Sequence, residues 1–104
     1  MKIYEVIEDE IEYEIKEYAD GSKHWYFDNK RHRMNGPACE WSDGSKFWYF
    51  DDKCHRINGP AIEYVSGNKY WYIHGKHYPT KKEYYLELVK RGLISKKEAF
   101  IELI

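Results

Sequence analysis

A 22-residue stretch of this chain is followed almost at once by a near copy of itself. Residues 20–41 read DGSKHWYFDNKRHRMNGPACEW and residues 43–64 read DGSKFWYFDDKCHRINGPAIEY, so equivalent positions lie 23 residues apart. A third, shorter copy starts at residue 66 as SGNKYWYIHGK. A fixed period of this length is typical of folds in which one small supersecondary unit recurs and its neighbours complete its core. The repeat therefore predicts a row of similar units.

Each copy begins with a turn signal that is followed by β-forming residues. Asp20-Gly21, Asp43-Gly44 and Ser66-Gly67 stand before the runs KHWYF, KFWYF and KYWYI. Two-residue Asp-Gly loops match the twist of a β-hairpin, so each is predicted to be a tight turn. The resulting register pairs Ile15 with Tyr26, Trp41 with Lys46, Glu40 with Phe47, Cys39 with Trp48, Tyr64 with Lys69, Glu63 with Tyr70 and Ile62 with Trp71. We therefore expect a mainly β fold with α, built as a meandering antiparallel sheet of tandem 23-residue hairpins.

Strand alternation divides the aromatic residues of these hairpins between two faces. One face collects tryptophan, isoleucine and lysine stems and is the predicted core. The other carries what we call the aromatic stripe: His24, Tyr26, Phe47, Tyr49, Tyr70 and Tyr72. Two interpretations stay open. Either the C-terminal helices or a curled sheet cover the stripe, or it binds a protein partner, because rigid rings offer contact area at low entropic cost.

Both ends of the chain have their own patterns. Thr80-Lys81-Lys82-Glu83 and Ser95-Lys96-Lys97-Glu98 have the form S/T-x-x-E, which caps helix N-termini. They predict helices over about 81–91 and 96–103. The second has an apolar edge, Ala99, Phe100, Leu103 and Ile104, that is expected to pack on the sheet or on a partner chain. Before the repeats, apolar residues at odd positions in 3–15 predict one or two leading strands, whose open edge would permit homodimerisation.

These segments are expected to form one domain over residues 1–104. The leading strands occupy 1–18, the repeat sheet 19–79, and the two helices 80–104, where they cap the sheet as a helical hairpin. Lys and Arg number 17 and Asp and Glu 18, so the formal charge of -1 disfavours nucleic acid and anionic membranes as partners. Carboxylates interrupt the N-terminal region, which predicts a cytoplasmic protein without signal peptide or membrane span. Cys39 and Cys54 are expected to be free thiols.

The pairs His32-Arg33 and His55-Arg56 are the residues that most resemble a catalytic site. They recur at equivalent positions, whereas a catalytic constellation is normally assembled from non-equivalent residues, so no catalytic residue is assigned. One interpretation is that each histidine anchors its loop while the arginine bridges to Glu40 or Glu63. The other is a repeated anion site made by Lys30, His32, Arg33, Lys53, His55 and Arg56. The remaining cysteines and histidines match no zinc pattern, and no cofactor motif occurs, so neither metal nor cofactor is expected.

The unit x-D-G-S-K-x-W-Y-x-x-x-K-x-H-R-x-x-G-P-A-x-E covers about residues 17–79. It resembles the MORN-type repeat variants of small bacteriophage and bacterial proteins, although His-Arg and Gly-Pro-Ala depart from the usual unit. The resemblance implies a non-enzymatic phage accessory protein that binds and inhibits or sequesters a bacterial host protein, for instance a component of antiviral defence. An antitoxin-like binder of a toxin and a protein that sequesters a small ligand such as a nucleotide are the alternatives. The aromatic stripe is the expected partner-binding surface.

Overall fold

The chain folds into a meandering antiparallel sheet that is followed by two helices. The computed structural model describes residues 1–104. The elements are β1 (Lys2–Glu8), β2 (Ile11–Glu17), β3 (Lys23–Phe27), β4 (Lys30–Arg31), β5 (Cys39–Glu40), β6 (Lys46–Phe47), β7 (Tyr49–Phe50), β8 (Lys53–Cys54), β9 (Ile62–Glu63), β10 (Lys69–Ile73), β11 (Lys76–Tyr78), α1 (Lys81–Lys90) and α2 (Lys96–Leu103). The sheet order is β1-β2-β3-β5-β6-β9-β10-β11, with β4 also paired to β3, while β7 and β8 form a separate pair. The predicted class, mainly β with two C-terminal helices, is confirmed.

Four hairpins of the chain close with a two-residue turn, and none of these turns has the predicted Asp-Gly sequence. They are Asp9-Glu10, Asp28-Asn29, Asp51-Asp52 and His74-Gly75, and in each both residues have positive φ. The flanking residues pair directly across every turn, as Phe50 does with Lys53. Left-handed conformations at both central residues give the twist that a two-residue hairpin needs, and Asp, Asn and Gly tolerate them best.

The Asp-Gly loops are longer than predicted, and the predicted register is wrong by one residue. Cys39 pairs with Phe47 and Glu40 with Lys46, where Trp48 and Phe47 were expected. Gly44 donates its N–H to the carbonyl of Trp41, and Trp41 donates to Ser45, which leaves a three-residue loop. In this loop only the glycine has positive φ, and the aspartate instead accepts a hydrogen bond from the backbone of Ser45 at 2.8 Å. The loops at Gly21 and Gly67 are built in the same way, so Ile15 pairs with Trp25 and Ile62 with Tyr70.

Because the period of a strand is two, this slip of one residue moves side chains to the other face. Cys39 and Ile62, which were assigned to the core face with the tryptophans, lie in the same cross-strand row as His24, Phe47 and Tyr70. The opposite face carries a row of alternating charge: Lys2, Glu17, Lys23, Glu40, Lys46, Glu63 and Lys69. We call the face with the stripe residues the stripe face and the other the loop face.

The N-terminal strands form a hairpin in which the core-facing positions are even-numbered before the turn and odd-numbered after it. Pairing across Asp9-Glu10 joins odd residues of one strand to even residues of the other, so Tyr4 pairs with Ile15 and Val6 with Tyr13. The odd-numbered Ile3 and Ile7 are consequently exposed and lie on the face opposite Tyr13 and Ile15, and of the predicted one or two leading strands the structure has two. Tyr13 and Ile15 form a buried cluster with Trp25 and Ala38 on the loop face.

The two helices pack at the C-terminal end of the loop face. Tyr84, Tyr85 and Leu88 of α1 form a buried cluster with Ile73 and Tyr78, against which Trp71 also packs. The hydroxyl of Thr80 caps α1, and Ser95 and Glu98 form the complete capping box of α2. In α2 only Ala99 is buried, whereas Phe100, Leu103 and Ile104 are exposed. The interpretation in which this edge packs on the sheet is wrong, because α2 packs on α1 instead, and packing on a partner chain stays a prediction.

Candidate binding faces

The six residues of the aromatic stripe lie on the stripe face in two rows. His24, Phe47 and Tyr70 form one row through the cross-strand neighbours Cys39 and Ile62. Tyr26, Tyr49 and Tyr72 form the next row and pair with Arg31, Cys54 and His77. Tyr70 is exposed and the other five are half-buried, so the stripe is a surface in this protein rather than a closed core.

Rings that the sequence did not assign to the stripe complete it. Seven aromatic and imidazole rings follow one another across the sheet with successive centroids 4.8–5.9 Å apart. In order, they are Tyr18, His24, Trp41, Phe47, Tyr64, Tyr70 and His77, and we call them the aromatic ladder. Edge-to-face arrangements dominate, as ring quadrupoles favour. Trp41 and Tyr64 are exposed by 36% and 42%, so the ladder presents ring edges and polar tips to solvent.

The predicted register explains why these rings were missed. It placed Trp41 and Tyr64 opposite Lys46 and Lys69, on the face assigned to the core. The three-residue loop turns them onto the stripe face instead. One repeated spacing in the sequence could have revealed the correct register. Glu17, Glu40 and Glu63 each stand six residues before a lysine. A loop that pairs these opposite charges has three residues between its closing pair, not two.

Tyr49 of the stripe lies beneath a guanidinium. The guanidinium of Arg31 lies 4.4 Å from the centroid of its ring, and Arg31 is itself paired with Asp52 at 3.5 Å. Burial is the main cause that raises the pKa of Tyr49 to about 12. Burial also raises the pKa of the Cys39 thiol to about 11, and both cysteines are free. A thiol with so high a pKa is a poor nucleophile, so Cys39 acts as a small apolar residue.

The helices leave the stripe face open. Trp71 and Ile73 alternate along β10 with Tyr70 and Tyr72, and it is the side of Trp71 and Ile73 that packs against α1. The interpretation in which the C-terminal helices cover the stripe is therefore wrong. Strand alternation puts the helix-packing side and the aromatic ladder on opposite faces, so a helix on one cannot reach the other.

On the loop face, Arg33 is the centre of a dense network. Its guanidinium lies 3.6 Å from the ring centroid of Trp25. Nε and Nη2 donate to both oxygens of Glu8 at 3.0 and 2.7 Å, and Nη1 donates to Glu40 at 3.0 Å and to the carbonyl of Pro37 at 3.2 Å. This bidentate pairing holds the pKa of the Glu8 carboxyl below its usual range. Arg33 therefore ties its own loop to the N-terminal hairpin.

Arg56, 23 residues later, repeats most of this arrangement. Its guanidinium lies 3.8 Å from the ring centroid of Trp48, and Nη1 donates to Glu63 at 3.2 Å and to the carbonyl of Pro60 at 3.0 Å. The expected bridges from Arg33 to Glu40 and from Arg56 to Glu63 are both present. A Cβ atom on Gly59 would lie 2.6 Å from Cζ of Arg56, so only glycine leaves room for the stacked guanidinium.

Each of the two histidines accepts a hydrogen bond from the tight turn of the next repeat, whereas it was predicted to anchor its own loop by donating to a carbonyl. Nδ1 of His32 accepts the backbone N–H of Asp51 at 3.2 Å, and Nδ1 of His55 accepts that of His74 at 2.9 Å. The rings of His55 and His74 stack with centroids 4.0 Å apart. Burial, with His74 and Arg91 nearby, lowers the pKa of His55 to about 4, so it is neutral at pH 7. Lys30 and Lys53 of the predicted anion site are exposed and form no ion pair.

A cleft of about 490 Å³ separates the two loops. We call residues 33–37 the first loop and residues 56–60 the second loop. The cleft is lined by the whole first loop and by Trp48, Tyr49, Phe50, His55, Arg56 and Ile57, so Asn58 lies outside the lining. Two arginines and no carboxylate line the cleft. The predicted anion residues Arg33, His55 and Arg56 thus meet at one place, while His32 does not reach it.

No family model matches this chain, and neither the curated proteins nor the solved structures contain a significant match. No helix is both long enough and apolar enough to cross a membrane. No three His, Cys, Asp or Glu side chains lie close enough together to hold a metal ion.

Proposed function

We propose that this chain is a non-catalytic interaction protein that binds a bacterial host protein through the aromatic ladder and thereby inhibits or sequesters it. The observation that carries the proposal is an open face on which seven rings, in edge-to-face or tilted contact with one another, are partly exposed to solvent. Rings that are already ordered by their neighbours lose little entropy on binding, which is why Tyr and Trp are frequent in the centres of interfaces.

The dimensions of the molecule suit this role. The chain measures 42 × 32 × 20 Å, so its broad face exceeds the roughly 800 Å² that one partner contributes to a standard interface. The proposal includes the origin suggested by the sequence: a MORN-like tandem repeat of a phage, closed by its two helices and acting in the host cytoplasm.

Capture from bacterial lysate, followed by reconstitution, tests the proposal. The tagged chain is expected to retain one host protein, and the purified host protein is expected to lose activity when the chain is added. Changing Trp41, Tyr64 and Tyr70 to Ala, singly and together, should weaken the complex at least tenfold, because hot-spot rings each contribute about 2 kcal/mol or more.

The matched control uses equally apolar residues elsewhere. Phe100 and Ile101 are exposed by 66% and 56% on α2, away from the ladder, and their change to Ala should leave binding intact. Circular dichroism would establish that all variants remain folded. If the ladder variants bind as tightly as the control variants, or if the captured protein keeps its activity in the complex, the proposal is wrong.

The cleft on the loop face favours a second candidate, sequestration of a small anionic ligand such as a nucleotide. Its volume lies in the range of small-molecule sites, and Arg33 and Arg56 line it. A thermal shift that rises with nucleotide concentration and is lost in Arg56→Ala would support this candidate. No shift with any nucleotide at millimolar concentration would remove it.

A further inference from the structure

Arg33 and Arg56 have the same pose but different surroundings on their outer edge. Each stacks on a tryptophan, each donates Nη1 to a proline carbonyl and a glutamate, and each donates its backbone N–H to a tyrosine carbonyl at 3.3 Å. In Arg33 the remaining edge, formed by Nε and Nη2, holds the carboxylate of Glu8 in a bidentate pair. In Arg56 the same two nitrogens make no hydrogen bond within the protein.

The partner of the first loop is the acidic tip of the N-terminal hairpin. Glu8 and Asp9 are neighbours at this tip, and while Glu8 pairs with Arg33, the carboxylate of Asp9 accepts a hydrogen bond from the side chain of Asn35. Arg33 and Asn35 of the first loop thus donate hydrogen bonds to two successive carboxylates. The fork of a guanidinium matches the two oxygens of a carboxylate, which makes this contact specific as well as strong.

The second loop has the same two residues and no acidic partner. Asn58 is the sequence equivalent of Asn35, and its exposed side chain makes no hydrogen bond. Its backbone has a φ of +67°, whereas Asn35 is outside the left-handed region, so only the residue types of the two loops are the same at this position. Arg56 is held in place by Trp48, Pro60 and Glu63, and it lines the cleft between the two loops, where there is no carboxylate. A guanidinium edge that is already held in place beside an open cleft is suited to bind an anion, because its side chain loses little conformational entropy on binding.

We propose that Arg56 and Asn58 bind an acidic hairpin tip of another protein, a Glu-Asp pair in a tight turn, in the manner in which Arg33 and Asn35 bind Glu8 and Asp9. The internal pair shows which ligand chemistry this loop accepts. Arg56 and the Trp48 ring beneath it lie on the loop face, opposite the aromatic ladder, so this site can fail without the ladder proposal failing. It shares its cleft with the nucleotide candidate, and the peptide and phosphate titrations below distinguish the two.

The chain supplies its own probe for the test. A cyclised peptide that copies residues 4–15, YEVIEDEIEYEI, carries the acidic tip, and the Arg33 site of the full chain is already occupied within the molecule. Titration of the ¹⁵N-labelled full chain with this peptide should shift the indole signal of Trp48, which lies beneath Arg56, in a saturable manner. A peptide with Gln and Asn in place of Glu8 and Asp9 should bind at least tenfold more weakly.

Protein variants assign the binding to the cleft. Arg56→Ala and, independently, Asn58→Asp should each weaken peptide binding at least tenfold. The second variant keeps Arg56 and its stacking, and aspartate tolerates the φ of +67° at this position, so a folding defect is not expected to obscure it. Lys97→Ala removes an exposed positive charge on α2 that forms no ion pair and does not line the cleft, and it should leave binding unchanged.

Three results would overturn the proposal. The first is no saturable shift with the acidic peptide at ~1 mM, a concentration at which even weak sites fill. The second is binding of inorganic phosphate that depends on Arg56 in the absence of peptide binding, which would make the cleft a small-anion site. The third is self-association of the chain that Arg56→Ala abolishes, which would assign the cleft to a second copy of this protein.

Discussion

The pair Arg33 and Arg56 allows a stability experiment with an internal reference. Both arginines occupy equivalent positions, stack on a tryptophan and bridge to a glutamate, so changing either to Ala removes the same chemical groups. Only Arg33 also pairs with Glu8, and its side chain is 14% exposed, compared with 29% for Arg56. The difference between the two variants therefore isolates what the contact with the N-terminal hairpin contributes.

The expected magnitudes follow from the contacts. Loss of the stacking and of one charged hydrogen bond at a half-exposed site should cost Arg56→Ala about 1.5 kcal/mol. Arg33→Ala loses those contacts as well and leaves the carboxylate of Glu8 without its bidentate partner, for which about 3 kcal/mol in total is expected. For a domain of this size, 1 kcal/mol corresponds to roughly 6 °C in Tm, so the expected decrease in Tm is roughly 9 °C for Arg56→Ala and roughly 18 °C for Arg33→Ala.

Urea denaturation followed by tryptophan fluorescence measures both values, and the slope of the transition reports whether unfolding stays two-state. Glu8→Gln provides the complementary measurement, because it removes the same ion pair by changing the other residue. It should lower the free energy of unfolding by most of the difference between Arg33→Ala and Arg56→Ala. Equal losses for the two arginine variants would refute the reasoning, since they would mean that the contact with Glu8 contributes nothing. A loss below about 0.5 kcal/mol for both would refute the structural role of the stacked arginines altogether.

Further predictions concern protonation, a buried hydroxyl and a helix cap. Burial favours neutral His55 and lowers its folded pKa to about 4, so the free energy of unfolding should fall as the pH decreases from about 6.5 to 4. The expected loss is roughly 1–2 kcal/mol after allowance for partial exposure. His55→Asn keeps a hydrogen-bond acceptor and should lessen this loss when urea denaturation at pH 7 is compared with that at pH 4.5. Tyr84→Phe should lower the free energy of unfolding by about 1–3 kcal/mol, because the Tyr84 hydroxyl is hydrogen-bonded to two backbone groups of the second loop. Tyr85 makes no hydrogen bond through its hydroxyl, so Tyr85→Phe should have little effect, and similar losses for the two variants would contradict this account. Ser95→Ala should lower stability by about 1 kcal/mol through loss of the capping box, measured by thermal melts, and Ser95→Asn should restore it.

Much of the fold could be predicted from local signals. The mainly β meander and both helices follow from the β-forming runs and the two S/T-x-x-E sequences, and the helices begin within one residue of the predicted positions. These features depend on neighbours within a few residues, which the sequence displays directly. Ser95 illustrates the point, because its cap needs only its own hydroxyl and the carboxylate of Glu98.

The site was predicted in part for the same reason. Arg33 and Arg56 were expected to bridge to Glu40 and Glu63, and the short spacing within each repeat made those pairs accessible to sequence reasoning. The contact of Arg33 with Glu8 joins residues 25 positions apart and lies outside the repeat, so no local pattern could reveal it. The difference between the two arginines, on which the acidic-peptide site depends, exists only in the folded chain.

By itself, the sequence determined where the β-forming runs and the two helices lie, and it showed a period of 23 residues. The tertiary structure decided the register, and with it the surface. Gly44 has positive φ in this three-residue loop and would have it in a two-residue loop as well, so the residue type does not distinguish the two. Pairing with the neighbouring strands does distinguish them. Because a shift of one residue exchanges the faces of a strand, that choice places Trp41 and Tyr64 in the aromatic ladder and Trp48 beneath Arg56.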